Sequence, residues 1–296
     1  MENTAQLVQY ILTGITIGAI YALVGLGYNI IYNVTEVINF AQGEFVVLGG
    51  LVMVFMTNTL HLSLPVGFFL SVGIVTILGA LMDKLTIQPI KNATVLTLII
   101  ITIAVSIIFK GLAMLIWGRD PYTLPAFSKA PPFTLFHAII QPQALWVLGI
   151  TTVVVILLSL FFRYTMVGKA MLACADSPEA SRLMGIPVQR MVLISFVLSA
   201  AIGAVAGIVI TPISLMEYDR GALLGLKGFG ASILGGLGSF SGAVIAGLIL
   251  GLIESLCAGY VSSGYKDAVA LIVLLLVLFI KPSGFFAGKR ASLKKF

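Results

Sequence analysis

Apolar runs of about 20 residues recur along almost the whole chain, and they constrain its fold more than any motif in it. A helix needs ~20 predominantly apolar residues to cross a hydrocarbon layer about 30 Å thick. Only 9% of the 296 residues are charged, whereas a soluble domain carries about 25%. A chain this poor in charge cannot cover itself with water-compatible surface. It reads as an all-α polytopic membrane protein.

Taken in order, the first span covers about Leu7 to Ile31. Gly14 and Gly18 within it have the small-xxx-small spacing that lets lipid-embedded helices approach closely. A polar break, Tyr32 to Glu44, precedes a second span over about Phe45 to Met56, which is short unless it begins inside Ile38 to Phe45. Further spans cover about Leu64 to Met82, Val95 to Trp117 and Ala144 to Phe162. Prolines between Gly118 and Gln143 argue against a regular helix there. After a polar loop at 164–190, a span over about Met191 to Ile210 leads to a polar segment, Thr211 to Lys227. The glycine-dense run Gly228 to Gly247 is expected to hold a short or re-entrant helix, a turn near Gly238 and the start of a span ending near Leu256. The last span, about Ala268 to Ile280, is stopped by Pro282. These runs predict about eight or nine transmembrane helices in a single domain over residues 1–296, with no internal repeat. Residues 1–10 lack a basic n-region and a cleavage site, so the first span is expected to be retained.

The net charge of +6 reports orientation rather than nucleic-acid binding. One set of alternating loops holds eleven cations: Lys84, Lys91, Arg163, Lys169, Arg182, Arg190, Lys281, Lys289, Arg290, Lys294 and Lys295. The opposite set holds five: Arg119, Lys129, Arg220, Lys227 and Lys266. The positive-inside rule then puts the 164–190 loop and the C-terminus in the cytoplasm and the N-terminus outside. That orientation needs an odd number of crossings, which favours nine.

Several chemistries find no footing. No GxxxxGK[ST] phosphate loop is present, so no ATPase is expected in this chain. His61 and His137 read as surface residues of outer loops, outside any H-E-x-x-H zinc pattern, and no G-x-S-x-G nucleophile elbow occurs. Cys174 and Cys257 give neither a disulfide framework nor metal-ligand spacing. Lys110 and Glu254 fall within or near spans, where charge is costly and often functional. Lys110 is expected to snorkel or to pair with an acid on a neighbour. A proton relay would need more intramembrane acids or histidines than these. The stretch from Asn39 through Gln42 to Glu44 joins a span directly, and such polar backbone is tolerated only inside protein or against a water-filled cavity. It is either a cytosolic turn with a helix cap, or part of a substrate path or subunit interface.

The loop at 164–190 carries a compact helix signature. Ser177 or Asp176 can cap an N-terminus, Asp176 and Glu179 have capping-box spacing, and Pro178 suits the first helical position. Gly185 then supplies a left-handed stop and Pro187 prevents continuation. The spacing predicts a helix of about two turns, roughly 10 Å long. Glu179 and Arg182, three residues apart, share one side of it.

These residues carry a resemblance. Glu179-Ala180-Ser181, followed after three residues by Gly185, resembles the EAA-x3-G loop of ABC importer permeases, with Ser181 for the second alanine. The fuller string Ala175 to Pro187 is similar to permeases of branched-chain amino-acid importers of the LivH type. Val37 to Phe45, Ser232 to Gly247 and Tyr265 to Phe286 agree, although the commonest form of the first has histidine where Gln42 stands. The resemblance implies an ABC importer permease fold and no enzyme activity of this chain's own. It implies a second homologous permease, ATPase subunits that use ATP-Mg, and an extracytoplasmic amino-acid-binding protein, all at a bacterial inner membrane. Asp176, Glu179, Ala180, Arg182, Leu183 and Gly185 are then the expected ATPase-coupling residues. Asn39, Gln42 and Glu44 are expected on the substrate pathway. The other class considered is a stand-alone secondary transporter or channel for a small polar solute.

Overall fold

The computed structural model describes residues 2–90, 94–128, 130–135, 138–281 and 284–286. Lys91, Lys129, His137, Pro282, Lys289, Arg290, Lys294 and Lys295, weighed above, lie outside the described residues. Eleven α-helices are seen among those described: α1 (Glu2–Thr35), α2 (Gln42–Val54), α3 (Leu64–Met82), α4 (Val95–Trp117), α5 (Pro142–Tyr164), α6 (Met166–Asp176), α7 (Pro178–Leu183), α8 (Val188–Ile210), α9 (Arg220–Gly235), α10 (Phe240–Tyr260) and α11 (Lys266–Ile280). Among its described residues, the proline-rich segment between α4 and α5 holds no α-helix; it carries the antiparallel pair β1 (Phe133–Leu135) and β2 (Ala138–Ile140) and a single bridge from Tyr122 to Met216.

Among the described residues, seven helical stretches are long and apolar enough to cross a membrane: Ala5–Thr35, Leu64–Ile87, Val95–Trp117, Pro142–Tyr164, Val188–Ile210, Phe240–Tyr260 and Ser263–Ile280. The expected eight or nine membrane helices thus resolve into these seven and the shorter α2 and α9. With 13 and 16 residues, α2 and α9 reach about 20 and 24 Å at 1.5 Å per residue. That is less than a ~30 Å hydrocarbon layer. Both are enclosed by protein: every α2 residue is buried, and so is most of α9. Short or interrupted helices are tolerated at membrane depth under such cover, because lipid does not meet their ends.

Burial separates an inner from an outer layer. The apolar window of Val188–Ile210 is 72% buried, against 17% for Val95–Trp117 and for Ser263–Ile280. α8 is therefore central, packed on α1, α2 and α3, while α4 and α11 are peripheral and present Leu115 and Phe279 outward. Lipid tails are as apolar as leucine, so close packing, not expulsion from water, must hold the inner layer. The α1–α10 crossing shows how. A methyl group on Gly18 would lie 2.7 Å from the Leu248 Cα, and one on Gly14 would lie 2.8 Å from the Leu252 Cα. The small-residue face read from the sequence is the face on which these two backbones meet.

Candidate functional site

The 164–190 loop folds as two helices rather than one. α6 was missed in the sequence: Thr165 Oγ1 accepts from Gly168 N–H at 2.9 Å and starts it, and Gly168, Met171 and Cys174 are its buried residues. That three-residue apolar spacing was the available signal. Asp176 is the last residue of α6, so it does not cap the next helix as the capping-box spacing predicted. Ser177 caps it instead, its Oγ accepting from Ala180 N–H at 3.2 Å. Pro178 occupies the first helical position of α7, where its missing N–H costs nothing.

α7 ends in a Schellman motif. Gly185 N–H donates to the Arg182 carbonyl at 3.0 Å, and Ile186 N–H to the Ser181 carbonyl at 2.9 Å. Gly185 has φ +81°, as its predicted stop role requires. Caps at both ends make a six-residue helix a defined object, although a free helix of this length is unstable. Ser181 is buried against its support, and burial pushes the nearby Cys174 thiol up, so it stays protonated. Leu183 and Met184 are 89% and 82% exposed. An open groove of about 570 Å³ follows them, lined by Arg182, the turn at 185–187 and the first residues of α8, Val188 to Arg190. The loop thus brings Glu179, Ala180, Arg182, Leu183 and Gly185 together on one projecting element.

The Asn39–Glu44 stretch is buried and its three expected residues part company. Asn39 Oδ1 accepts from Ala41 N–H at 3.1 Å, while its Nδ2 has no partner among the described residues. Gln42 reaches α8, where Nε2 donates to the Ser199 carbonyl at 3.2 Å and Oε1 accepts from Ser199 Oγ. Glu44 faces α4 and α9: Ser106 Oγ donates to its Oε1 at 3.1 Å. A methyl group on Gly221 would lie 2.5 Å from Glu44 Oε2, so the carboxylate rests on the first turn of α9. Lys110 lies one turn along α4 from Ser106, and Asp219 stands at the N-terminus of α9, just before Gly221. The Lys110 ammonium itself sits 5.6 Å from the centre of the Tyr218 ring.

A second polar cluster corrects the sequence reading. Lys227 was assigned to an outer loop; it lies in α9, 5% exposed. Its Nζ is 2.7 Å from Glu254 Oε1, 2.6 Å from Asp267 Oδ1 and 3.0 Å from Tyr21 Oη. Tyr21 Oη in turn donates to Glu254 Oε2 at 2.8 Å. Glu254, left without a partner above, is thereby satisfied, and α9 is tied to α1, α10 and α11. A lysine at the edge of so glycine-rich a run implies an acid nearby, since an unpaired intramembrane charge is costly. That rule was the usable clue.

Three relatives share the architecture's length. A protein described as a high-affinity branched-chain amino acid transport system permease, LivH of Escherichia coli, is 32% identical over 96% of each chain. The corresponding BraD of Pseudomonas aeruginosa is 29% identical over 96% of this chain and 97% of its own. A probable branched-chain amino acid transport permease of Methanocaldococcus jannaschii is 32% identical over 88% and 87%. The family described as branched-chain amino acid transport system / permease component matches residues 10–278. With that match running from α1 into α11, and the capped α7 and enclosed α2 and α9 inside it, the chain belongs to this permease family.

Proposed function

We propose that the chain is the membrane-spanning subunit of an ATP-driven ABC importer, carrying branched-chain (Leu, Ile, Val) or related amino acids across a bacterial inner membrane. The observation that carries this reading is α7, a doubly capped helix that holds Leu183 and Met184 almost fully exposed at a loop between membrane helices. An exposed apolar pair on a rigid support suits insertion into a partner, and a rigid element can pass a partner's closure to the helices behind it as a body shift. ATP-Mg belongs to cytoplasmic ATPase partners in this scheme, and a second homologous permease completes the pore. An extracytoplasmic binding protein delivers the solute. Residues 1–296 act as one permease domain, with the loop at 164–190 and the C-terminus in the cytoplasm.

The peripheral α4 carries Lys110 in its interior, and the spans hold few other charges, which fits a route for a solute with little need of charge except at its own ionised groups. The test is to express the chain with ATPase, permease and binding-protein partners, purify the complex, and measure ATP turnover and leucine uptake in proteoliposomes. The reading expects a stable complex whose turnover and uptake rise with the leucine-loaded binding protein. A chain that purifies alone and moves solute without ATP would replace it with a stand-alone transporter.

A further inference from the structure

Two intramembrane clusters contain ions, and they differ in one respect. In the Lys227 cluster the ammonium donates to Glu254 and Tyr21 at 2.7 and 3.0 Å and stands 2.6 Å from Asp267 Oδ1, so it is paired within the protein. The Glu44 cluster is open. Among the described residues Ser106 is the single hydrogen-bond donor to that carboxylate, on Oε1, and Lys110 makes no salt bridge within 4.0 Å, sitting instead over Tyr218. Lys110 stands one turn along α4 from Ser106, so a cation and an anion flank that hydroxyl without forming a salt bridge, as two charges flank the α-carbon of an amino acid.

The α4 surface supplies the rest. Ile103, Ser106, Ile107 and Lys110 follow i, i+3, i+4, i+7 spacing and form one stripe of the helix. Ile103 and Ile107 are 42% and 67% exposed, and Ser106 and Lys110 are partly exposed. A hydroxyl and an ammonium in such a stripe would face lipid at high cost, so protein or a solute path must cover it. Branched aliphatic surface beside a carboxylate, a hydroxyl and an ammonium suits a branched-chain zwitterion.

We propose that Glu44, Ser106 and Lys110 form half of a binding site for the zwitterionic end of an aliphatic amino acid, with Ile103 and Ile107 against its side chain. The proposal rests on the importer reading and assigns the solute's ammonium to Glu44 and its carboxylate to Lys110. Glu44 is 2% exposed. The site therefore opens when α4 moves from α2 or when the first turn of α9, at Gly221, moves from the carboxylate. The partner permease supplies the other wall.

The experiment uses the whole importer in nanodiscs of deuterated lipid, without binding protein, and saturation-transfer NMR of L-leucine, which reads weak binding. The expected result is a leucine methyl signal displaced by L-valine but not by 4-methylpentanoate or isopentylamine, each of which lacks one charge. Glu44→Gln and Lys110→Met should each cut the signal about tenfold, the loss expected of one charged contact. Lys110 is only partly buried, so its variant serves if Glu44→Gln fails to assemble. An unchanged signal in both variants, or equal displacement by the acid and the amine, overturns the proposal. So does a parent complex that imports leucine with ATP yet shows no signal. A parent complex that assembles but does not import leucine with ATP overturns the importer reading instead.

Discussion

The chain interrupts its apolar runs at two places that matter, and it builds them in opposite ways. At α7 the backbone satisfies itself: Ser177 closes one end, the Schellman bonds of Gly185 and Ile186 close the other, and all its side chains but Ser181 are exposed. At the start of α2 the backbone is secured by distant elements. Phe40 N–H donates to Thr102 Oγ1 on α4, Gln42 bonds Ser199 on α8, and Glu44 rests on Gly221 of α9. The first is a local object, presented to a partner under the proposed function. The second is a junction whose geometry depends on four helices at once, and under the same proposal it is a site that changes shape during transport.

Substitutions that break or sharpen this contrast can be ranked by size. The largest effect is expected for Lys227→Met, which strands Glu254 and leaves α9 without its anchor. Breaking a buried ion pair costs about 3–5 kcal/mol. The Asp267 side chain is 40% exposed and adds little to that. Thermal unfolding of the purified chain should show a large drop, and adding Glu254→Gln and Asp267→Asn should restore most of it. Gly221→Ala comes next. Its Cβ cannot share space with the Glu44 carboxylate, and such overpacking costs about 1–3 kcal/mol. Leucine uptake should fall sharply while the complex still assembles; normal uptake would mean that Glu44 can shift without consequence.

Gly185→Val is expected to act differently. An added Cβ meets nothing within 4 Å, so the penalty comes chiefly from φ +81°, at least about 1–2 kcal/mol for a non-glycine residue and more for a β-branched one. The permease should remain folded and monodisperse, but stimulation of partner ATPase activity should drop. Intact coupling would remove Gly185 from the loop's function. The smallest change is Ser177→Ala, about 1 kcal/mol for a lost cap. A modest rise in amide hydrogen exchange confined to α7, with α2 unaffected, would show that the two regions are energetically separate.

The same contrast explains what could be read in advance. Cap residues, prolines and Gly185 act through bonds a few residues long, so α7 and its stop were legible from spacing. So were Leu64–Met82 and Val95–Trp117, whose runs are set by the hydrocarbon layer. The pairing of Lys227 with Glu254 and Asp267 spans 27 and 40 positions, and Glu44 meets Ser106 across 62. No local pattern encodes those meetings. Gln42 illustrates the limit: its polarity was plain, but only the approach of α8 fixes Ser199 as its partner. α6 was a different failure, because its short amphipathic turn was hidden in a loop read as merely polar.

The most direct test of the central claim, that α7 is the surface presented to the ATPase, is a cross-link. Met184→Cys is introduced into the co-expressed complex with Cys174 and Cys257 changed to serine, and a short bifunctional thiol reagent is applied. The account predicts an efficient product between this chain and the ATPase subunit, which changes in yield when ATP binds. An assembled, ATP-hydrolysing complex that gives no such product from position 184 would contradict it.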